Sequence, residues 1–228
     1  MKKIAKLFGL IIILATIAFV VGFNLVGDLT NEENINPKKV INTVNEDYTI
    51  LVNKTNVLRS NYTPKNLVKL NIEFLSDTSN ESRCMEKKAA DSLEDLVATA
   101  KKENIILIGS SAYRSYKSQL RILKEETDKK GVDYADKYVA KPGQSEHQSG
   151  LAVDVTNRVR CFDKTSKEAQ WLANNAYKFG FILRYPDGKE DITGYNYEPW
   201  HIRYVGKDIA KEIYKKNITL EEYLSYKS

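Results

Sequence analysis

The order of apolar and polar positions divides the chain into an apolar amino-terminal run and a longer part with mixed helical and strand patterns. Residues 7–26 are apolar with few interruptions, and about 20 apolar residues are enough to cross the hydrocarbon core of a bilayer. The lysines that precede this run predict a cytoplasmic amino terminus. The residues that follow it do not match the exit of a cleaved signal peptide. We therefore expect residues 1–27 to form an uncleaved signal anchor; cleavage would make the protein secreted.

The part of the chain after this run divides into a linker and a domain. Residues 28–48 are rich in Asn, Glu and Lys without apolar periodicity, which predicts a polar linker. Residues 49–228 are enough for one domain with a single core. Three lysines at the amino terminus account for three of the five net positive charges, so the rest is nearly balanced and we expect no nucleic-acid partner. We expect a monomer held at the outer face of the cell membrane by its anchor.

Helical and strand patterns alternate within residues 49–228. This alternation, with strands that read as antiparallel, predicts an α+β fold in which a small antiparallel sheet is flanked by helices. The predicted helices are 86–101, 115–130, a helix opened by a capping box at Thr165 and Glu168 and ended by Gly180, 208–216 and 219–225. The predicted strands are 105–108, 151–155, 181–185 and 202–205. Alternation in 151–155 places Leu151, Val153 and Val155 on one face, and Ala152 and Asp154 on the other.

Two cysteines, Cys84 and Cys161, are present in the chain. An anchored, extracytoplasmic domain makes a disulfide between them possible. A domain of this size does not need such a bond, so we favour two separate buried thiols. Neither cysteine lies within a metal-ligand motif.

The candidate chemistry lies in two short polar segments, 145–154 and 197–201, which together contain both histidines of the chain. Two imidazoles and a carboxylate form a ligand set that suits Zn²⁺ and leaves a position for water. We therefore predict a metal site made of His147, Asp154 and His201. Pro199 keeps the second segment out of a helix interior, and Glu198 is then a candidate general base or, alternatively, a fourth ligand.

Three motifs in this order resemble those of the VanY-type D-alanyl-D-alanine carboxypeptidases. They are Ser111-x-Tyr113-Arg114-Ser115, Ser145-x-His147-x-x-Gly150-x-Ala152-x-Asp154 and Glu198-x-Trp200-His201. The resemblance covers about residues 51–224 and implies the zinc-peptidase fold shared with VanX-type dipeptidases and the hedgehog amino-terminal domain. It implies a zinc enzyme of a Gram-positive bacterium that removes the carboxy-terminal D-alanine from peptidoglycan stem peptides.

The resemblance also implies roles for individual residues. It makes Glu198 the general base and Arg114 the cation that stabilises the oxyanion of the tetrahedral intermediate. By the same resemblance, the candidate substrate contacts are Tyr113, Gln119 and Ser145.

Two alternative functions stay open from the sequence. One is an L,D-carboxypeptidase that acts on tetrapeptide stems, because the shared motifs do not define which bond is cut. The other is a non-catalytic, zinc-containing cell-wall binding module, although such a module needs neither Glu198 nor Arg114. A serine nucleophile is disfavoured, because the chain contains neither Ser-x-x-Lys nor Gly-x-Ser-x-Gly. Neither cysteine lies in a recognisable nucleophile motif.

Overall fold

A computed structural model of the protein describes residues 39–41 and 48–227. The predicted signal anchor and most of the predicted linker lie outside these described residues. Within the described ranges, no helix combines the length and the apolar character needed to span a bilayer.

The described residues form short strands and helices that alternate along the chain. The strands are β1 (Lys39–Ile41), β2 (Asn56–Leu58), β3 (Leu67–Lys69), β4 (Cys84–Glu86), β5 (Ile108–Ser111), β6 (Ala152–Thr156), β7 (Phe181–Leu183) and β8 (His201–Tyr204). The α-helices are α1 (Lys87–Lys102), α2 (Tyr116–Lys130), α3 (Val132–Tyr138), α4 (Lys167–Asn175), α5 (Glu190–Thr193), α6 (Lys207–Lys216) and α7 (Leu220–Lys227). Three 3₁₀ turns cover Glu81–Arg83, Glu146–Ser149 and Ala176–Phe179.

A four-stranded sheet in the order β5-β6-β8-β7 is the centre of the fold. All neighbouring strands in it are antiparallel, as the sequence predicts. The register places Asp154 of β6 opposite His201 of β8 and opposite Ser111 of β5. Two smaller sheets accompany it: β1 pairs with β2 in parallel, and β3 pairs with β4 in antiparallel fashion.

The main core lies between helix α1 and one face of the central sheet. Leu93 and Leu96 of α1 are fully buried in the same cluster as Val153 and Val155 of β6. This confirms the predicted alternation along β6. Helix α1 begins where the Glu86 carboxylate accepts hydrogen bonds from two free backbone N–H groups of its first turn, which the helix itself leaves unsatisfied. A second apolar cluster joins β7 to the closing helices α6 and α7.

The strand predicted at 105–108 is displaced towards the carboxyl end. Ile105, Leu107 and Ile108 are buried in the core, but the ladder with β6 begins only at Ile108, opposite Thr156. Gly109 therefore lies inside the strand instead of ending it. A Cβ atom there would lie 2.5 Å from the ring of Phe74, so a glycine permits this close approach.

The predicted capping box at Thr165 and Glu168 is also wrong. Ser166 is the residue that caps helix α4, and its Oγ accepts the backbone N–H of Ala169. Glu168 is buried instead and accepts a hydrogen bond from Asn157. This helix ends earlier than predicted, at Asn175, and the chain continues through a 3₁₀ turn to Gly180.

The two cysteines are free thiols, as favoured from the sequence. Their expected burial is wrong, because Cys84 is half-buried and Cys161 is exposed. The Cys84 thiol lies 3.4 Å from the carbonyl oxygen of Asn80, and the Cys161 thiol lies 3.6 Å from a carboxylate oxygen of Asp163.

Candidate active site

The three predicted metal ligands converge at one end of strands β6 and β8. His147 lies in the 3₁₀ turn that leads into β6, Asp154 lies in β6, and His201 is the first residue of β8. Their ligand atoms all lie within 4.8 Å of one another. The two imidazole rings are nearly perpendicular, with centroids 5.0 Å apart. One ligand thus comes from a turn and two come from neighbouring strands.

Local backbone contacts orient His147. Gly150 ends the turn in the left-handed conformation, at φ 72°, which glycine adopts without strain. Nδ1 of His147 lies 2.7 Å from the carbonyl oxygen of Ala112. Because a carbonyl only accepts, Nδ1 carries the hydrogen and Nε2 is left with a free electron pair. Nε2 lies 3.2 Å from Oδ2 of Asp154.

The shared carboxylate of Asp154 links the two histidines, since its Oδ1 lies 2.9 Å from Nδ1 of His201. Burial alone raises the pKa of Asp154, but attraction to both imidazoles outweighs burial and holds that pKa well below its ordinary value. Burial lowers the pKa of His147, and the charge of Asp154 opposes that effect. For His201, hydrogen bonds to Asp154 and Glu146 outweigh burial and raise the pKa to about 10.

The donor set fits a zinc ion. It offers nitrogen from two buried imidazoles and oxygen from an ionised, half-buried carboxylate, and these are ligands that Zn²⁺ takes in proteins. With three protein ligands, such a site retains a position for water. A metal held by Nδ1 of His201 would displace the proton that lies between this nitrogen and Asp154 when no metal is bound.

Glu198 lies beside this ligand set. Its Oε2 is 4.0 Å from Nδ1 of His201. Burial, helped by the negative charges of Asp154 and Glu146 and opposed by His201 and Arg114, raises the pKa of Glu198 to about 7. A carboxyl group with a pKa near neutrality is suited both to accept and to return a proton.

Arg114 lies between β5 and α2 and is held by two side chains. Its Nη1 donates to Oε1 of Gln119 at 2.9 Å, and its Nη2 donates to Oγ of Ser111 at 2.9 Å. Its backbone N–H donates to the carbonyl oxygen of His147 at 3.2 Å. Burial lowers the pKa of Arg114, but Asp154, Glu81 and Glu198 oppose that effect, and a guanidinium stays charged in proteins. It is therefore a half-buried cation that interacts electrostatically with Asp154 and Glu198.

The three predicted substrate contacts are all buried. Gln119 has both ends of its amide engaged, because Oε1 accepts from Arg114 and Nε2 donates to the carbonyl oxygen of Ala140 at 2.7 Å. Tyr113 shares a side-chain hydrogen bond with Thr63, and burial raises its pKa. Ser145 precedes the turn that carries His147 and gives it no side-chain cap. Their contact with substrate stays a prediction.

Sequence reasoning missed three charged residues behind the site. Glu146 is fully buried and lies between the guanidinium groups of Arg184 and Arg203. The signal for them is an arginine within each of two otherwise apolar predicted strands, 181–185 and 202–205. A buried charge is rare without a partner, so each arginine implied a buried acid. The sequence predicts both segments as strands but gives no role to their arginines.

A fold and a site of this kind define a metallopeptidase. A family model described as VanY, D-alanyl-D-alanine carboxypeptidase, matches residues 82–207, and the chain belongs to this family. The chain is 46% identical to YodJ of Bacillus subtilis over 183 residues, which cover 78% of this chain and 67% of YodJ. It thus spans about two thirds of that relative.

Two solved structures support the same assignment. The LdcB LD-carboxypeptidase has 44% sequence identity and a TM-score of 0.75, with coverage of 82% of this chain and 89% of that one. A VanY D,D-pentapeptidase of a VanB-type resistance cassette, in complex with Zn(II), has 37% identity and a TM-score of 0.63. That match covers 78% of this chain and 99% of the other. The expected fold relationship to the VanY peptidases is confirmed.

Proposed function

We propose that the protein is a zinc-dependent carboxypeptidase that removes the carboxy-terminal D-alanine from peptidoglycan stem peptides. The observation that carries this proposal is the convergence of His147, Asp154 and His201, with the carboxyl group of Glu198 beside His201 and the half-buried guanidinium of Arg114 coupled to Asp154. The description of the matching family, D-alanyl-D-alanine carboxypeptidase, supports the substrate. The Zn(II) complex of the VanY peptidase supports the metal.

The three ligands would hold zinc through Nε2 of His147, Asp154 and Nδ1 of His201, because these atoms face one another. Zinc bound there supplies a Lewis acid and lowers the pKa of a water molecule towards about 7. Proton transfer and stabilisation of the oxyanion are the proposed tasks of Glu198 and Arg114.

Glu198 is the proposed general base. Its carboxylate takes a proton from the attacking water, and the resulting carboxylic acid returns that proton to the amine of the departing D-alanine. The pKa of about 7 that burial produces suits both halves of this task. The position of Oε2, 4.0 Å from Nδ1 of His201, is close enough to serve a water beside the ligand set.

Arg114 is the proposed stabiliser of the oxyanion that forms when water adds to the peptide carbonyl. A charge that is already oriented before the reaction stabilises the transition state without the cost of reorganisation. The hydrogen bonds from Arg114 to Gln119 and Ser111 provide that orientation. Gln119 then assists the reaction through Arg114, whether or not it also contacts the peptide.

The bond that is cut has two candidates. D,D-cleavage of a pentapeptide stem is supported by the family description and by the likeness to a D,D-pentapeptidase. L,D-cleavage of a tetrapeptide stem is supported by the 44% identity and the TM-score of 0.75 with the LdcB LD-carboxypeptidase. Both reactions release D-alanine and require the same ligands, base and cation, so they share one mechanism. A non-catalytic binding module would need neither Glu198 nor Arg114.

We further propose that the enzyme acts at the outer face of the membrane, attached through residues 1–27. The apolar run and its lysine flank support this location, which is also where stem peptides are exposed. Protease added to intact cells is expected to remove the domain from the cell surface. Protection of the domain until the cells are lysed would contradict this location.

Incubation of the protein with pentapeptide and tetrapeptide stems, followed by mass analysis, tests the reaction. Loss of one alanine from the pentapeptide indicates D,D-activity, and loss from the tetrapeptide indicates L,D-activity. The same stems with an amidated carboxyl terminus are the control and are expected to resist, because a carboxypeptidase requires the free terminal carboxylate. Internal cleavage of cross-linked stems, or no cleavage by zinc-loaded protein, would contradict the proposal.

A further inference from the structure

A buried network of charges lies directly behind the His201 ring. Oε1 of Glu146 accepts hydrogen bonds from Nε of Arg184 at 2.8 Å and from Nη1 of Arg203 at 2.6 Å. All three side chains are fully buried. Glu221 of helix α7 binds the outer edge of Arg184 through both of its carboxylate oxygens, at 2.8 and 2.7 Å. The two arginines therefore determine the orientation of the Glu146 carboxylate.

The second oxygen of Glu146 faces the histidine. Oε2 lies 3.4 Å from Nε2 of His201, on the opposite side of the ring from Nδ1, which faces Asp154. A carboxylate can only accept hydrogen bonds, so the nitrogen that faces Glu146 is the one that keeps its hydrogen. The other nitrogen, Nδ1, is left to donate an electron pair.

The two histidines thus present different ring nitrogens to the ligand site, Nε2 in His147 and Nδ1 in His201. The Ala112 carbonyl retains the hydrogen of His147 on Nδ1, which leaves Nε2 free. When a metal takes the place of the proton on Nδ1 of His201, Glu146 would retain the hydrogen on Nε2, which leaves Nδ1 free for the metal. Both free nitrogens face the carboxylate of Asp154. A partner that fixes the hydrogen of the second ring nitrogen is a general means of orienting a metal-binding histidine.

We propose that Glu146, oriented by Arg184 and Arg203, is a positioning residue that selects Nδ1 of His201 as the metal-donating nitrogen. This inference rests on the metal site of the proposed function. It assigns a role in metal binding to a residue that does not contact the metal. It also connects that role to helix α7, which lies beyond the residues matched by the family model.

Glu146→Gln is the variant that tests this role, because it changes the hydrogen-bonding character at an almost constant shape. The two arginines only donate, so they retain the amide oxygen of the new side chain. The amide nitrogen must then face Nε2 of His201 and donate to it. The hydrogen of the ring moves to Nδ1, and this nitrogen loses its free electron pair.

Glu221→Gln is the matched control. Glu221 pairs with the same arginine, Arg184, and with the amide of Asn53, whereas Glu146 pairs with the His201 ring. Both variants remove one charge from the network, so both are expected to lower the melting temperature. Only Glu146→Gln is expected to weaken zinc binding, by about 10- to 100-fold. Competition with a chromogenic chelator measures this affinity in the full-length protein, at a temperature where circular dichroism shows both variants to be folded.

The outcomes separate a positioning role from a structural one. Equal losses of zinc affinity in the two variants, or unchanged affinity in folded Glu146→Gln, would overturn the inference while the proposed function stands. If the wild-type protein binds no zinc, the proposed function fails, and this inference fails with it.

A measurement on the wild-type protein decides the question even if Glu146→Gln does not fold. The chain contains two histidines, so ¹⁵N-histidine labelling reports on two rings. In the zinc-loaded protein, we expect the hydrogen of His201 on Nε2 and slow exchange of that hydrogen with solvent. A hydrogen on Nδ1 of His201, or exchange as fast as that of free imidazole, would overturn the inference.

Discussion

Asp154 and His201 lie directly opposite each other on antiparallel strands β6 and β8, with Oδ1 of Asp154 2.9 Å from Nδ1 of His201. The register of the central sheet therefore sets the distance between two of the three proposed ligands. A slip of one residue would turn one of these side chains to the core face. The packing of Val153 and Val155 into the core prevents such a slip. The same core packing therefore stabilises the sheet and maintains the distance between the two proposed ligands.

Asp154→Asn is expected to remove the metal. Its neutral amide replaces the ionised carboxylate between the two imidazoles, and zinc prefers the charged donor. Elemental analysis should find one zinc per chain in the wild-type protein and much less in the variant. Asp187→Asn, at a carboxylate whose side chain is 67% exposed, is the control and should retain zinc. Stoichiometric zinc in Asp154→Asn would contradict the assignment of this ligand.

Removal of zinc is expected to destabilise the wild-type protein. A metal that binds the folded state alone raises the free energy of unfolding by about 4 kcal/mol at a free concentration of 1,000 times Kd. Thermal unfolding with and without a chelator measures the effect. The melting temperature of Asp154→Asn should not respond to the chelator. An equal response in both proteins would show that zinc stabilises the fold from another site.

Glu198→Gln is expected to retain zinc and lose catalysis. The amide occupies nearly the same space as the carboxyl group but cannot accept the proton of water. Zinc content and the rate of D-alanine release, measured on the same preparation, check this expectation. Simultaneous loss of zinc and activity would show instead that Glu198 is a metal ligand, the alternative that the sequence leaves open.

Arg114→Ala is expected to lower kcat by about 10²- to 10³-fold, as removal of one oxyanion donor does. Steady-state kinetics with the stem peptide that the wild-type protein cleaves supplies the measurement. Arg121→Ala is a suitable control, because Arg121 lies on helix α2 with a side chain that is 64% exposed and paired only across one helical turn. A change confined to KM would assign Arg114 to ground-state binding of the substrate.

Arg184→Met is expected to lower the free energy of unfolding by about 3–5 kcal/mol, because it leaves the carboxylate of Glu146 buried with one ion-pair partner fewer. Urea denaturation measures the loss. Arg158→Met, which breaks the exposed pair with Glu73, should have little effect. Equal stabilities of the two variants would contradict the importance of the buried network.

Several features of the protein were determined by the sequence itself. Helix α1 was predicted to within one residue at each end, since its apolar spacing and the carboxylate of Glu86 are local properties. The choice of His147, Asp154 and His201 also needed no coordinates, because the chain has two histidines and both occur in distinctive motifs. Short strands such as β3 and β4 escaped prediction, because three residues are too few to show a period.

Only the tertiary structure decided which nitrogen each histidine presents and what holds it. Glu146 is separated in sequence by 38 residues from Arg184 and by 57 from Arg203, and neither distance carries a periodic signal. Each charge alone is costly to bury, and the cost is offset only when all three fold against one another. Long-range packing also determined where β5 begins. Its first residue is set by pairing with β6 and not by its own apolar run. The sequence thus named the chemical groups of the site, and long-range packing determined their orientation.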